Sequence, residues 1–528
     1  MKTRSLLALA GKLSPWLGLS LLVAVFALAA WRVAVPSAVE AERRTVIRIA
    51  HWQLEAGIRQ GIDAVARAYE AMHPDVRIEQ ILVPERVYPT WLTTRLVGGT
   101  APELIELVPN YSSDRVARYF RPLGAEIDQP NPYNRGTALE ALPWRNTFVD
   151  GLASGYHEEL ADYYGAGPFM GSRALFYNAS MLREVTGVDA PPANFSELER
   201  VLSQLEDSMR GRNERIAGFA MHRASATALF NDLFAAQLQR LGTELSRGTG
   251  LPVTREEFYA AHLDGRWDFA RPELKAALEN LRELSASFPP GFTQLGREDA
   301  SLSFVQGRAL FFYSGTWDVT NLAAQVDFPV GVMRPLVPEP GHPRFGAGVL
   351  GALASEDRTG SPAFSVTRDS PHAERAIDFL RFLTSDPGNR LFSEASGWMP
   401  SIVGVPGPSG LDELMVAGGG YPRGPSLLGG PDTSMAFSHN LARLTGPGGD
   451  VDAFLEGFAS DAAAAMRSDL NRSLRAGAEG LRRDDVAIIA GRVLGEVDGA
   501  GVTDRRAQSQ NEREASMRAL ETELAGAP

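Results

Sequence analysis

The sequence predicts an α/β fold built from doubly wound parallel sheets. Two observations carry that prediction. Between residues 46 and 108, apolar runs of strand length alternate with stretches of helical period. At 528 residues, with 44% hydrophobic and 22% charged residues, the chain has an ordinary globular composition and is too long for one core, so two or three domains are expected.

Val46–Ala50 alternates around Arg48 and then stays apolar, as a buried first strand does. Ile58, Ile62, Val65, Tyr69 and Met72 recur along one face of a helix. His73-Pro74 ends it, because proline cannot continue the hydrogen-bond ladder. Val76–Ile81 reads as a second strand, Tyr88–Val97 as a helix closed by Gly98-Gly99, and Leu104–Val108 as a third strand. Strand–helix–strand–helix–strand at this spacing argues for parallel pairing. Farther along, Phe195–Met209 and Ala224–Leu241 have helical spacing, and Ala309–Tyr313 is a short buried strand. Residues 334–363, rich in Pro and Gly, form a long connection to a strand at Ala363–Val366. The next helix takes Ser370 as its N-cap and Pro371 in its first turn, and carries Ile377, Leu380 and Leu383 on one face. Residues 403–432 are again rich in Gly and Pro. From Val451 onward the chain is helical, and the charged, apolar-poor stretch 504–528 is expected to be an exposed tail.

Charge and composition exclude several classes. With 52 Lys plus Arg against 64 Asp plus Glu, the formal charge is −12, so no nucleic-acid partner is expected. There is no cysteine, which excludes disulfides, thiolate nucleophiles, Cys-ligated metal centres and the lipid-bearing Cys of a bacterial lipoprotein anchor. At the start of the chain Lys2, Arg4 and Lys12 precede the apolar run Trp16–Trp31. That is the pattern of an export signal, at the short end of a membrane span of roughly 17–25 residues. Cleavage at Val39-Glu40-Ala41 makes residues 1–41 a signal peptide; the alternative is an uncleaved N-terminal anchor. Cleavage removes Lys2, Arg4, Lys12, Arg32 and Glu40 and takes the charge from −12 to −15. A periplasmic location is expected on either reading.

Motifs spread over residues 46–402 carry a resemblance. The first strand ends in IAHW (49–52), and a helix ends in AYEAMHPDVRIE (68–79). WLTTRLVGGTAPELIEL (91–107), FRPLGAEID (120–128) and YYGAGPFMGSRALFYNASMLREVTGVDAPPANFSEL (163–198) follow, then SLSFVQGRALFFYSGTW (301–317) and SGWMPS (396–401). In their order and spacing these resemble the extracellular solute-binding proteins of ABC importers, in the family that includes maltose-binding protein.

That resemblance implies two doubly wound lobes joined by a hinge, with a ligand cleft between them, of the type II-like periplasmic binding protein architecture, plus extra C-terminal helices. It assigns 45–168 plus 364–430 to one lobe and 172–350 plus 431–503 to the other. It implies a sugar or oligosaccharide ligand, the transmembrane subunits of an ABC permease as partner, a monomer, and no cofactor. Residues 128–162, 337–360 and 403–450 are long for the family, and Glu103 stands where the family usually has Asp.

Sugars present an apolar C–H face and a rim of hydroxyls, so their sites need aromatic platforms with amide and carboxylate hydrogen-bonders. In doubly wound sheets ligands sit beyond the carboxyl ends of strands. Candidates on that rule are Trp52 and Gln53 after the first strand, Asn110 and Tyr111 after the third, Trp317 after the 309–313 strand and Trp398 in the GWMP segment, with Asn231 beside Phe230 from the second lobe. Core packing is the alternative for each tryptophan, and a turn or helix-cap role is the alternative for Asn110 and Asn231.

Motifs of catalysis are absent: no G-x-x-x-x-G-K-[ST], no G-x-S-x-G and no H-E-x-x-H occurs, and the eight histidines are scattered singly. His51 is a satisfied structural histidine or a hydrogen-bonder of the cleft, and the Tyr163-Tyr164 pair reads as packing or sugar stacking. The sequence therefore points to a binding protein without chemistry of its own. The alternatives are an exported carbohydrate-active enzyme and a membrane-tethered ligand sensor on the same fold.

Overall fold

Strand β1 (Thr45–His51) is the spine of the first sheet. Its alternate residues Ile47 and Ile49 are fully buried, as a strand with a sheet neighbour on each side requires. It pairs in parallel with β2 (Val76–Leu82) and β3 (Leu104–Glu106). Helix α1 (Ile58–Met72) makes the first crossover and α2 (Tyr88–Val97) the second. A late strand, β8 (Phe364–Val366), adds antiparallel to β3, giving the order β8-β3-β1-β2. The computed structural model describes residues 23–24, 26–27, 44–53, 57–107, 111, 113–157, 160, 162–212, 215–246, 252–354, 359–360, 363–411, 414, 419–494 and 502–526. The expected third strand ends at Glu106, and Val108 lies outside the described residues.

One face of this sheet is covered by α1, α4 (Ala373–Leu383) and α5 (Asp386–Ser396). Gly61 lets α1 and α5 approach: a Cβ there would stand 2.8 Å from the Phe392 ring. Tyr69 Oη donates to Asp378 at 2.6 Å and ties α1 to α4. Helix α4 starts at Ala373, not at Ser370. The Ser370 hydroxyl instead accepts the His372 N–H two residues on, a local turn that precedes the helix. The 128–162 stretch closes over the same helices: Trp144 is fully buried and donates to Thr384 Oγ1 at 3.1 Å, and Asn131 donates to Arg381 O at 2.7 Å.

Strand β4 (Phe169–Asn178) links this lobe to the second sheet. Just before it, Ala166 bridges to Phe364 of the first sheet. Within it, Phe169 and Met170 pair with Pro400 and Met399. It then pairs antiparallel with β6 (Ala309–Gly315) and β7 (Val330–Met333), and β5 (Ala217–Ala220) pairs in parallel with β6. The helix predicted over 224–241 breaks at Leu238: α3 covers Arg223–Gln237 and a separate helix covers Gln239–Leu245.

The second core draws on residues from Leu175 to Phe345 and again from Leu427 to Leu470. Part of the segment expected on the first lobe therefore packs on the second. Gly424 N–H donates to Ala235 O at 2.8 Å and Leu427 is fully buried there, because the chain runs along α3 before entering α6 (Pro431–Thr445). Helix α7 (Val451–Leu494) is 44 residues long and roughly 66 Å at 1.5 Å per residue. Only its first half, with Phe454, Phe458, Met466 and Leu470, enters the core.

The stretch read as an exposed tail is helix α8 (Val502–Gly526), folded back along α7. Polar and scattered apolar contacts hold it: Arg513 pairs with Asp484, Gln510 donates to Asp485 at 2.6 Å, Met517 lies against Gly477, and Leu520 packs against the second core. Such contacts leave no apolar period in the sequence.

Candidate functional site

The carboxyl ends of β1 and β3 form one wall. Glu106, the last residue of β3, is fully buried. Its carboxylate accepts the Trp52 N–H at 3.2 Å and the Gln53 side-chain amide at 2.7 Å. Tyr88 donates to Glu106 O at 2.9 Å, and burial pushes its hydroxyl well above the ordinary tyrosine range. The half-buried Trp52 ring meets Tyr88 edge-on at 5.1 Å. Tyr111, also half-buried, stands edge-on to Phe120 at 6.2 Å.

The end of β6 forms the other wall. Gly315 is followed by a turn, Thr316–Asp318, that folds Trp317 back over it. A Cβ at Gly315 would lie 2.3 Å from the indole, so only glycine leaves room for this ring. Trp317 also packs against the core of the first lobe, and Thr320 donates to Ser396 O at 3.0 Å, so the two lobes meet here.

Opposite Gly315 across the sheet stands Arg173, and opposite Tyr313 stands Leu175. The Arg173 guanidinium lies 5.9 Å over the Tyr313 ring. Tyr313 donates to Asp232 at 2.5 Å, and Arg423 donates to the other oxygen of that carboxylate at 3.1 Å. Burial, and then the Asp232 charge, raise the Tyr313 hydroxyl well above its usual range. Beneath Trp317, Asp318 is held by Arg297 at 3.0 Å and by the Ser314 hydroxyl. Burial, followed by the Arg297 charge, lowers the His222 pKa and favours its neutral ring. Among the described residues no group of His, Asp and Glu side chains is arranged to hold a metal ion.

Where two lobes meet beside the carboxyl ends of their strands, next to a crossing strand, is where such folds hold a ligand. Residues 64–410 match the family of bacterial extracellular solute-binding proteins, which is more than half of the chain. The chain belongs to that family. No curated protein matches this solute-binding protein. Among solved structures it is similar to the GacH receptor of Streptomyces glaucescens, whose structures include a complex with acarbose, at 15% identity over 81% of this chain and 99% of that one, with a TM-score of 0.54. It is similar to the maltose/maltodextrin-binding domain MalE from Bdellovibrio bacteriovorus, bound to maltotriose, at 18% identity over 82% and 100%, with a TM-score of 0.50. It is also similar to the ABC substrate-binding protein Lmo0181 from Listeria monocytogenes, in complex with cycloalternan, at 16% identity over 81% and 98%, with a TM-score of 0.51. At these identities the likeness is one of fold.

Within this solute-binding protein, Trp52, Gln53 and Tyr111 lie at or just beyond the strand ends of the first lobe and Trp317 at that of the second. Asn110 lies outside the described residues. Trp398 does not present a face to the cleft. It is 3% exposed and stands edge-on to Phe169 at 4.7 Å in the first lobe's core. Asn231 has both ends of its amide engaged within the second lobe: it donates to Thr227 O one turn back at 3.1 Å and accepts from Ser426 at 2.5 Å. His51 is fully buried against Gln80 at 2.9 Å, a structural role. Tyr164 is buried and Tyr163 packs on Tyr156 at 5.0 Å, so that pair is packing.

Glu103 is at the opposite, amino end of the sheet. Its buried carboxylate takes the Arg48 guanidinium at 2.9 and 3.0 Å and the Arg48 N–H at 2.8 Å. Its departure from the family's Asp therefore bears on strand pairing, beside a surface hollow of ≈ 680 Å³ lined also by Arg44, Tyr119 and His372. Glu106, Arg173, Asp232, Tyr313 and Arg423 were not singled out by the strand-end rule. Arg173 did leave a signal, as the one charged residue in the apolar run FMGSRALFYN.

Proposed function

We propose that this protein is an exported receptor that captures a carbohydrate-like solute between its lobes and delivers it to an ABC-type membrane permease. The observation that carries the reading is Trp317, an aromatic face fixed over Gly315 where the lobes meet. A flat, half-exposed indole beside hydrogen-bonding groups suits the C–H face and hydroxyl rim of a sugar ring. Family membership supports capture of a solute outside the cytoplasm, and the sugars bound by the GacH, MalE and Lmo0181 structures support the ligand class. The basic residues and apolar run that precede β1 serve as its export signal or anchor. Among the described residues no helix is long and apolar enough to cross a membrane.

The test is a thermal-shift screen against mono-, di- and oligosaccharides, followed by calorimetry. A saccharide that binds raises the melting temperature, and Trp317→Ala weakens its affinity about 10- to 100-fold, the worth of a lost aromatic face of roughly 1.5–3 kcal/mol. Unchanged affinity in that variant removes the cleft assignment. Sustained release of shortened sugars from glycoside substrates would instead establish the enzyme reading.

A further inference from the structure

The crossing strand β4 is buried at every position except Arg173, which is half-buried. An arginine here is costly to keep, because its guanidinium loses part of its hydration and gains no backbone partner from the sheet. The usual compensation is a carboxylate. Among the described residues none is within ion-pair distance of Arg173, whose guanidinium lies over the Tyr313 ring at 5.9 Å. The nearest carboxylate in the cluster, Asp232, is already engaged by Tyr313 and by Arg423, which arrives on the 419–430 segment. In the cluster of Tyr313, Asp232, Arg423 and Arg173 the one carboxylate is already shared, so Arg173 adds a positive charge that no described carboxylate pairs.

That charge has a definite place. The register puts Arg173 directly across from Gly315, on the face where a Gly315 side chain would point. That face is covered by the Trp317 indole. A guanidinium and an aromatic platform therefore stand side by side at the meeting of the lobes. The guanidinium fork matches a carboxylate in two parallel hydrogen bonds.

Resting on the carbohydrate reading above, we propose that the preferred ligand is an acidic sugar, a uronate-containing saccharide whose ring lies on Trp317 and whose carboxylate pairs with Arg173.

The experiment is calorimetry on the full chain and on Arg173→Gln. The probes are galacturonate, glucuronate and mannuronate di- and trisaccharides, each beside its neutral counterpart, together with glucose 6-phosphate. The expected result is that one uronate series binds at least about tenfold tighter than its neutral partner, the scale of one charge-assisted bidentate contact. The advantage shrinks in about 0.5 M salt as screening grows. It disappears in Arg173→Gln, whose loss of affinity is greater for the uronate than for its neutral partner, and Arg173→Lys, which keeps the charge but not the fork, retains part of it. Equal binding of neutral and acidic members by the native protein overturns the proposal and leaves the carbohydrate reading standing. So does an equal loss for both in Arg173→Gln. Tighter binding of glucose 6-phosphate than of any uronate overturns the carboxylate assignment. A folded, cooperatively melting protein that binds no saccharide of either kind overturns the carbohydrate reading itself.

Discussion

Arg48 and Glu103 join β1 to the start of β3 through three hydrogen bonds at the end of the sheet remote from the cleft. Burial alone would raise the Glu103 carboxyl, but the side-chain and backbone hydrogen bonds from Arg48 bring it below the ordinary range. A carboxyl held low in the folded state stabilises that state above its unfolded pKa and loses the contribution as pH falls through the folded value. Arg48→Met removes the cation and leaves a buried carboxylate, so at pH 7 the variant is expected to be about 1–3 kcal/mol less stable. Protonation of Glu103 relieves that penalty, and the gap to the native protein narrows as pH falls toward 4. Urea melts at the two pH values check this; a gap that is constant with pH would show that the pair contributes packing rather than charge. At this scale the sequence was informative about position and poor about orientation. Trp52, Gln53 and Trp317 follow strands whose apolar runs are plain, so their places were legible. Trp398 follows a helix, and nothing local says that its ring turns inward onto Phe169. Asp232, Tyr313 and Arg423 meet across separations of 81 and 191 residues, which no spacing rule reaches.

Among the elements, the strands and helices of 46–108 were the most legible, because each buries one apolar face at a fixed period. Helix α8 was the least, because its stability comes from α7 rather than from its own sequence. Removal of α8 by ending the chain at Leu494 is therefore expected to strip the partners from Asp484 and Asp485 and to fray the second half of α7, which carries exposed Val486, Ile489 and Val493. The first half, anchored by Phe454, Phe458 and Met466, is expected to stay folded. Hydrogen exchange would show protection lost beyond about residue 475 with saccharide affinity unchanged. Loss of affinity on truncation would instead tie the hairpin to the cleft. The 419–430 segment has the opposite character, since it brings Arg423 to Asp232 and so takes part in shaping the site.

For the whole molecule, the lobes touch through Trp317 and through Thr320 to Ser396, and they share one continuous strand in β4. A ligand held by both walls favours the closed arrangement only by the difference in its affinity for the two states. The saccharide that binds in calorimetry is therefore expected to reduce the radius of gyration in small-angle scattering. At about 100 times its Kd it should add about 2.7 kcal/mol of stability. An unchanged scattering curve at saturation would remove hinge closure from the reading. The two-lobed architecture was legible from motif order, but the destination of residues 419–430 was not, because a Gly/Pro-rich stretch carries no face to show which core it will join.

The placement of β8 has a consequence in time. It completes the first sheet by pairing with β3, with Phe364 opposite Glu106 and Val366 opposite Leu104, yet it is made some 260 residues later. The helices that cover Ile47, Ile49 and Ile62 arrive later still, in α4 and α5. A chain emerging from the ribosome thus holds the beginning of its first lobe without the means to finish it until about three-quarters of its length exists. Long-range closures of this kind are slow. That delay keeps the chain threadable during synthesis, the condition a protein needs if it is to be carried across a membrane before it folds.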